Sequence, residues 1–272
     1  MRYILAVVLI LLVRPAMAAS GDVSVVLRYE VFSHHLPVMR MDATLNMSSA
    51  GYRVSVTYHT IGIASVLYHG REQDSVVGSW DGSGVAPRRY LAEGTWRGRQ
   101  RETEVVYNNR VPAVVIADPP IAEEREPIAA DLLPRTIDTL SALVRLLRQV
   151  QSTGTCDSSL HTFDGRRLSR IVARTAGTTT LETVDLSPFS GQTLRCDFTG
   201  QMVAGFVLDH PKNEPPPPYH GSAWLARLSP DGPVLPVRLS FGTAWLGDVT
   251  MYLEQAADQA TPVAEADSPL VQ

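Results

Sequence analysis

Cysteine is almost absent from this chain, and so are the short motifs that betray chemistry. Two cysteines in 272 residues cannot build a disulfide-dense mini-domain or a cysteine-based zinc site. Seven histidines stand at 34, 35, 59, 69, 161, 210 and 220, none in an H-E-x-x-H pattern or at ligand spacing. His34 and His35 adjoin in a turn before Pro37, and neighbours on a strand would face opposite ways. No phosphate-cradling loop occurs, because Gly82-Ser83-Gly84 has neither the spacing nor the following helix. No G-x-S-x-G elbow is present. Charge of one sign is scarce too. A net charge of -4 with no basic run excludes nucleic acid as a partner. Arginine far outnumbers lysine, which we read as genome composition. No cofactor or metal is implied.

Long apolar runs are confined to the N-terminus. Arg2 is followed by the run Ile4 to Val13, too short to span a bilayer, and by Ala16-Met17-Ala18. This is the pattern of a secretory signal peptide over residues 1–18, cut between Ala18 and Ala19. No cysteine follows the cut to carry a lipid, and no twin-arginine pair precedes it. The expected location is the periplasm, and the mature chain is not expected to be an integral membrane protein. In that oxidising compartment Cys156 and Cys196 are read first as a disulfide closing about 40 residues. The alternative is a catalytic cysteine assisted by a histidine such as His161.

What the chain does have is alternation. Val23, Val25, Leu27 and Tyr29 alternate with Ser24, Val26, Arg28 and Glu30, the period of a half-buried strand. Strands are expected again over residues 39–47, 52–60, 72–80, 88–96, 102–107 and 111–116. After residue 150 they are expected over 160–163, 168–174, 178–186, 193–203, 222–228, 234–241 and 245–253. Asp81-Gly82, Asp164-Gly165 and Pro230-Asp231-Gly232 mark turns between them. The segment 61–70 is irregular, with Gly62 and Gly70 as breaks. Pro211 to Tyr219 must be a loop, since successive prolines remove ladder donors. Glu123, Glu124 and Glu126 beside Arg125 read as a solvated charge cluster on a proline-flanked loop. From Gln255 the chain is polar and rich in Ala and Pro, so residues 255–272 are expected to be a disordered tail.

One stretch breaks this rhythm. Leu140, Leu143, Val144 and Leu147 fall at i, i+3, i+4 and i+7, which predicts an amphipathic helix over about 138–150. Thr136 or Asp138 can cap its start, and Gly154 lies just past its end. The helix is expected to plug or cover the sheet.

In order, the chain presents Tyr29-x-Val31, Tyr52 to Thr60, Ala86-Pro87-Arg88-Arg89-Tyr90, Asp138-Thr139-Leu140-Ser141-Ala142-Leu143 and Asp164-Gly165-Arg166. It closes with Trp224, Gly232 and Pro236-Val237-Arg238. This arrangement resembles the exported bacterial proteins grouped as domain of unknown function 3108. It departs from them at Pro211 to Tyr219, which looks like an insertion, and in its cysteine pair. The resemblance implies an antiparallel β envelope protein and brings no catalytic residues with it.

The expected architecture is one β-rich domain over residues 19–254, an antiparallel, strongly curved barrel or half-barrel of about a dozen strands with one principal helix. The first expected function is non-catalytic binding of an apolar or lipid-like envelope molecule, in a cavity lined by Val54, Val56, Trp80 and Leu143. The second is a structural envelope protein with a filled core and protein partners. The four tryptophans, Trp80, Trp96, Trp224 and Trp245, suit either a cavity wall or core packing. An enzyme built from dispersed Asp, His or Cys is the remaining class, and a membrane-spanning barrel suits the charged strands poorly.

Overall fold

The computed structural model describes residues 22–67, 70–82, 84–96, 98–211, 216–243 and 247–258. The expected signal peptide with its cut at Ala18 and Ala19, the chain beyond 258, and Trp245 lie outside the described residues. Within them the strands are β1 (Val23–Ser33), β2 (Leu36–Ser48), β3 (Gly51–Thr60), β4 (Gly70–Asp81), β5 (Gly84–Trp96), β6 (Arg99–Asn108) and β7 (Val111–Asp118). After the linking helix come β8 (Ser158–Phe163), β9 (Leu168–Leu181), β10 (Gly191–Ala204), β11 (Tyr219–Arg227), β12 (Val234–Thr243) and β13 (Gly247–Asp258). A short helix, α1 (Gly62–Leu67), joins β3 to β4, and α2 (Thr139–Thr153) joins the two halves.

All thirteen strands share one antiparallel sheet, ordered from β7 back to β1 and then from β13 back to β8. Each half is a run of hairpins, and the pairing of β1 with β13 welds them. Accumulated twist curls so wide a sheet into a nearly closed barrel. The alternation seen in the sequence sets its inside. Leu27, Tyr29 and Val31 on β1 lie opposite Ala43, Met41 and Met39 on β2, and Tyr29 and Val31 also face Leu253 and Met251 on β13.

Three expectations change. Residues 168–186 do not form two strands. β9 runs unbroken from Leu168 to Leu181, because a register shift opposite Arg195 and Cys196 absorbs Ala176 as a bulge, with Gly177 at φ +107°. The irregular stretch after Thr60 is helical, as α1. Gln255 to Asp258 are not tail. They complete β13, where pairing with β1 down to Val25 outweighs a polar, alanine-rich composition.

Of the two possible caps for α2, Asp138 serves: it accepts the Ser141 N–H at 2.8 Å. The Thr136 hydroxyl instead donates to the Leu133 carbonyl. Gly154 closes the helix at φ +71°. Leu140, Val144, Leu147 and Val150 are buried. Arg145 is exposed, whereas the Arg148 guanidinium sits over the Trp80 ring, 4.0 Å from its centre. Cys156 and Cys196 are bonded, tying the exit of α2 to β10, so neither sulfur is a free nucleophile for His161 to activate.

Candidate functional site

The barrel has two unlike ends. α2 lies across one of them, held by turn residues of both halves. Arg148 donates to the Gly84 carbonyl between β4 and β5, and Gln151 Oε1 accepts the Val234 N–H at the start of β12. Tyr52 Oη meets Ser141 Oγ at 2.7 Å. Beneath the helix the inward side chains are closed off: Val25, Leu27, Leu45, Val54, Val76, Leu225, Leu235 and Val237 are all buried. The four residues expected to line a cavity all belong to this packing. Val54 and Val56 are buried, while Trp80 and Leu143 are half-buried against the same core. The Trp80 ring lies 5.2 Å from that of Tyr52, tilted by 34°, and its indole N–H donates to the Ser48 carbonyl. At the same end a groove of about 710 Å³ remains, but no residue of α2 lines it and it is edged by turn residues such as Ser48, Gly51, Ser229 and Gly232.

The opposite end is different. Register places Met39 and Met41 on β2, Tyr58 on β3, Glu72 and Asp74 on β4, Leu239 and Phe241 on β12, and Phe198 on β10 on the inner face. All eight stay partly accessible to solvent. Arg167, from the turn between β8 and β9, stands among them. Its charge is felt by Tyr58 and Asp74 on one wall and by Tyr219 of β11 on the other. Its side chain is 51% exposed, so this mouth of the barrel is open to solvent at Arg167, while Met39, Met41, Tyr58, Phe198, Leu239 and Phe241 pack against the core below it.

Around Arg167 the lumen is polar. Asp164 holds its guanidinium at 2.7 Å. Burial, helped by the neighbouring Glu72 and Asp164 carboxylates, pushes Asp74 up to about 7, against the Tyr90 hydroxyl and Arg167. Asp74 Oδ1 is buried with no hydrogen-bond partner among the described residues. Burial likewise raises Tyr58, with Asp74 and Glu72 adding to it. Near neutral pH the wall of β3 and β4 offers Asp74, a carboxyl group able to accept or donate, and the Tyr58 phenol beside the Arg167 cation. Met39 and Met41 of β2 adjoin Tyr58, and Phe198, Leu239 and Phe241 line the other half of the sheet. The arrangement suits a molecule with a polar end and an apolar body. No group of carboxylate, histidine or cysteine side chains that could hold a metal occurs among the described residues.

β7 and β8 are the two edges, and no ladder joins them. Arg166 closes the seam instead. Its Nε donates to Thr103 on β6 at 2.9 Å, and its terminal nitrogens donate to Glu124 at 3.1 Å and to the Pro119 carbonyl at 2.7 Å. Glu124 also takes both terminal nitrogens of Arg101, at 2.8 and 2.6 Å. The Arg101 guanidinium, above all, holds the Glu124 carboxyl below its usual range. Glu124 is thus no member of a loose solvated cluster, because the loop that carries it is pinned into the seam. On the outer face Trp224 lies between Arg195 and Arg238, the latter also 5.2 Å from the Tyr252 ring.

With this geometry in hand, comparison with known proteins is informative. The family model for "Protein of unknown function (DUF3108)" matches residues 28–254. The chain belongs to that family. None of the curated proteins matches the sequence. Among solved structures it is similar to a beta-barrel-like protein of the family DUF1849 from Brucella abortus. That match has a TM-score of 0.56 at 12% identity and covers 89% of this chain and 100% of the other. It supports the barrel fold alone. A candidate lipoprotein from Parabacteroides distasonis (11% identity, 86% and 95% covered) and a candidate outer membrane lipoprotein-sorting domain from Vibrio parahaemolyticus (8%, 92% and 90%) each reach a TM-score of 0.34. Likeness at that level carries no weight.

From the sequence, Asp74 and Arg167 had no role, Glu124 read as part of a solvated cluster, and Arg166 entered only within the family resemblance. Only Asp74 left a trace: it shares the strand phase of Val76 and Gly78, so a strand with Val76 inside must also turn a carboxylate inward.

Proposed function

We propose that this is a non-catalytic envelope protein of the periplasm that binds an apolar or lipid-like molecule inside its barrel, at the end away from α2. One observation carries the reading: Arg167, whose charge acts on Tyr58 of β3 and on Tyr219 of β11, is half exposed at the mouth of the barrel that α2 leaves uncovered. The bound molecule would lay its apolar part on Met39, Met41, Phe198, Leu239 and Phe241 and turn a polar group toward Asp74 and Arg167. Ligand sites commonly combine an apolar wall with a few placed polar groups. The N-terminal export pattern supports the location.

A second reading, a structural envelope protein, draws on the packing under α2, which takes in all of Val54, Val56, Trp80 and Leu143. One experiment separates the two. The mature chain is expressed in a periplasm, purified without detergent, and extracted for mass spectrometry. A stoichiometric lipid or other amphipathic molecule is expected, and Met41→Glu or Phe241→Glu should abolish its retention while circular dichroism stays unchanged. A protein that emerges empty, and stays empty when offered envelope lipids, would overturn the binding reading in favour of the structural one.

A further inference from the structure

At the end away from α2, aliphatic side chains project outward from adjoining segments. α1 buries Ala64 but leaves Ile63 63% and Val66 82% exposed, and no acidic or basic residue marks its end turns. It is fixed to β2. The Ile61 N–H donates to the Val38 carbonyl at 3.0 Å, and Gly62 lies so close that a Cβ there would come within 2.8 Å of the Pro37 carbonyl. Leu36, at the start of β2, is 56% exposed. Leu36, Ile63 and Val66 therefore stand on one rim. These residues crown a short helix and a hairpin rather than lining a groove.

The size of this patch selects its occupant. Three aliphatic side chains at these exposures offer on the order of 300 Å², well short of the roughly 800 Å² per partner of a stable protein interface. Protruding aliphatics with a cation beside them suit shallow insertion between lipids. Arg71, exposed at the start of β4 just after α1, forms no ion pair among the described residues. The groove that Arg71 lines also carries Glu93, Glu102 and Asp118 against Arg101, so apolar insertion rather than net charge must supply most of the affinity.

We propose that α1 and the start of β2 form a reversible docking site for the surface of a phospholipid bilayer, with Leu36, Ile63 and Val66 entering between lipids and Arg71 meeting a phosphate group. This stands whether or not the barrel holds a ligand. The test is flotation of the full mature protein with vesicles of phosphatidylethanolamine and phosphatidylglycerol. Wild type should float. Ile63→Glu and Val66→Glu, both at exposed positions that the fold tolerates, should each lower the partition coefficient roughly tenfold, the scale of withdrawing one aliphatic side chain from lipid. Val111→Glu, at the end of the barrel that α2 covers, should float like wild type. The proposal is overturned if wild type stays with the soluble fraction, or if all three variants behave alike. It is equally overturned if light scattering shows a concentration-dependent dimer that Val66→Glu abolishes, which would name a second copy as the occupant. A Val66→Glu protein that loses flotation but still retains a co-purified molecule separates this surface from the lumen.

Discussion

Asp138 anchors the helix end of the barrel with a charge that is costly to bury, and Asp138→Asn isolates that cost. The side chain is fully buried. Oδ1 accepts the Ser141 N–H at 2.8 Å, Oδ2 accepts the Ser141 hydroxyl at 2.6 Å, and that hydroxyl meets Tyr52 Oη. Burial pushes the carboxyl up to about 6, against the bonds from Ser141 that favour the anion. In the unfolded chain it titrates near 3.9. The folded state therefore holds the proton more tightly between these values. Stability from this group is greatest below about pH 4 and falls as pH rises through about 6. A shift of about two units corresponds to roughly 3 kcal/mol, of which about 2 kcal/mol falls between pH 4.5 and 7.5. Asn keeps the geometry. Its oxygen still accepts the Ser141 N–H, and its amide donates to the Ser141 hydroxyl, which then donates to Tyr52. Urea unfolding followed by tryptophan fluorescence at the two pH values should show wild type losing about 2 kcal/mol more than the variant. Equal pH dependence in the two proteins would refute the claim that Asp138 is strained by its charge. A variant unfolded at both pH values would refute the reversed hydrogen-bond chain.

Glu124→Gln leaves the nearly buried Arg166 without its counter-charge and should cost about 2 kcal/mol, discounted for the partial exposure of Glu124. Differential calorimetry reads this, and because the Glu124 pKa is depressed, the difference from wild type should vanish as pH falls below the usual carboxylate range. Replacing Cys156 and Cys196 together by Ser should lower stability by about 4 kcal/mol under oxidising conditions and by nothing in reductant, given the sequence separation of 40. In Gly78→Ala the new methyl would come within 2.3 Å of the Tyr52 ring. The variant should lose about 1–3 kcal/mol by denaturant unfolding, and in the double variant Gly78→Ala, Tyr52→Ala the total loss should be smaller than the sum of the two single losses.

The barrel was legible because its periodicities are strong. Val23 to Tyr29 alternate cleanly, and the leucines and valine of α2 repeat at helical spacing, so both elements follow from burial of one face. The cap was legible only as a choice. Thr136 and Asp138 are both good N-caps in isolation, and Tyr52, 86 residues upstream, supplies the hydroxyl that favours Asp138. Other features have no local signal. Ala176-Gly177 reads as a break, yet pairing with β10 before and after it carries β9 through as a bulge. Gln255 to Asp258 read as tail because composition ignores the strand waiting beside them. Glu124 looks solvated among its acidic neighbours, and only the fold brings Arg101 and Arg166 to it. The expected cavity wall proves to be core for a similar reason. Val54, Val56, Trp80 and Leu143 are as apolar as a cavity wall requires, but apolar residues are also what a helix seals over.

Side-chain closure of the barrel follows from its topology. Every hairpin adds a strand beside its predecessor, so a chain that begins at β1 grows one sheet edge outward to β7. The second half must start elsewhere, at β8, and grow inward until β13 meets β1. The first and last strands therefore share the centre of the sheet, while consecutive strands β7 and β8 occupy opposite edges. The segment between them has two tasks at once. It must span the gap between the edges, which the loop bearing Glu124 and the pairing of Ile137 with Thr162 accomplish. It must also fill an opening too wide for the strand side chains alone, which α2 does at one end only. A fifteen-residue helix, at 1.5 Å per residue, is about 22 Å long, enough to cross one mouth of such a barrel but not to turn back and block the other. That α2 covers one end only is thus a consequence of chain length and connectivity. It also places the lumen, the Arg167 cluster and the α1 rim on the same side of the molecule.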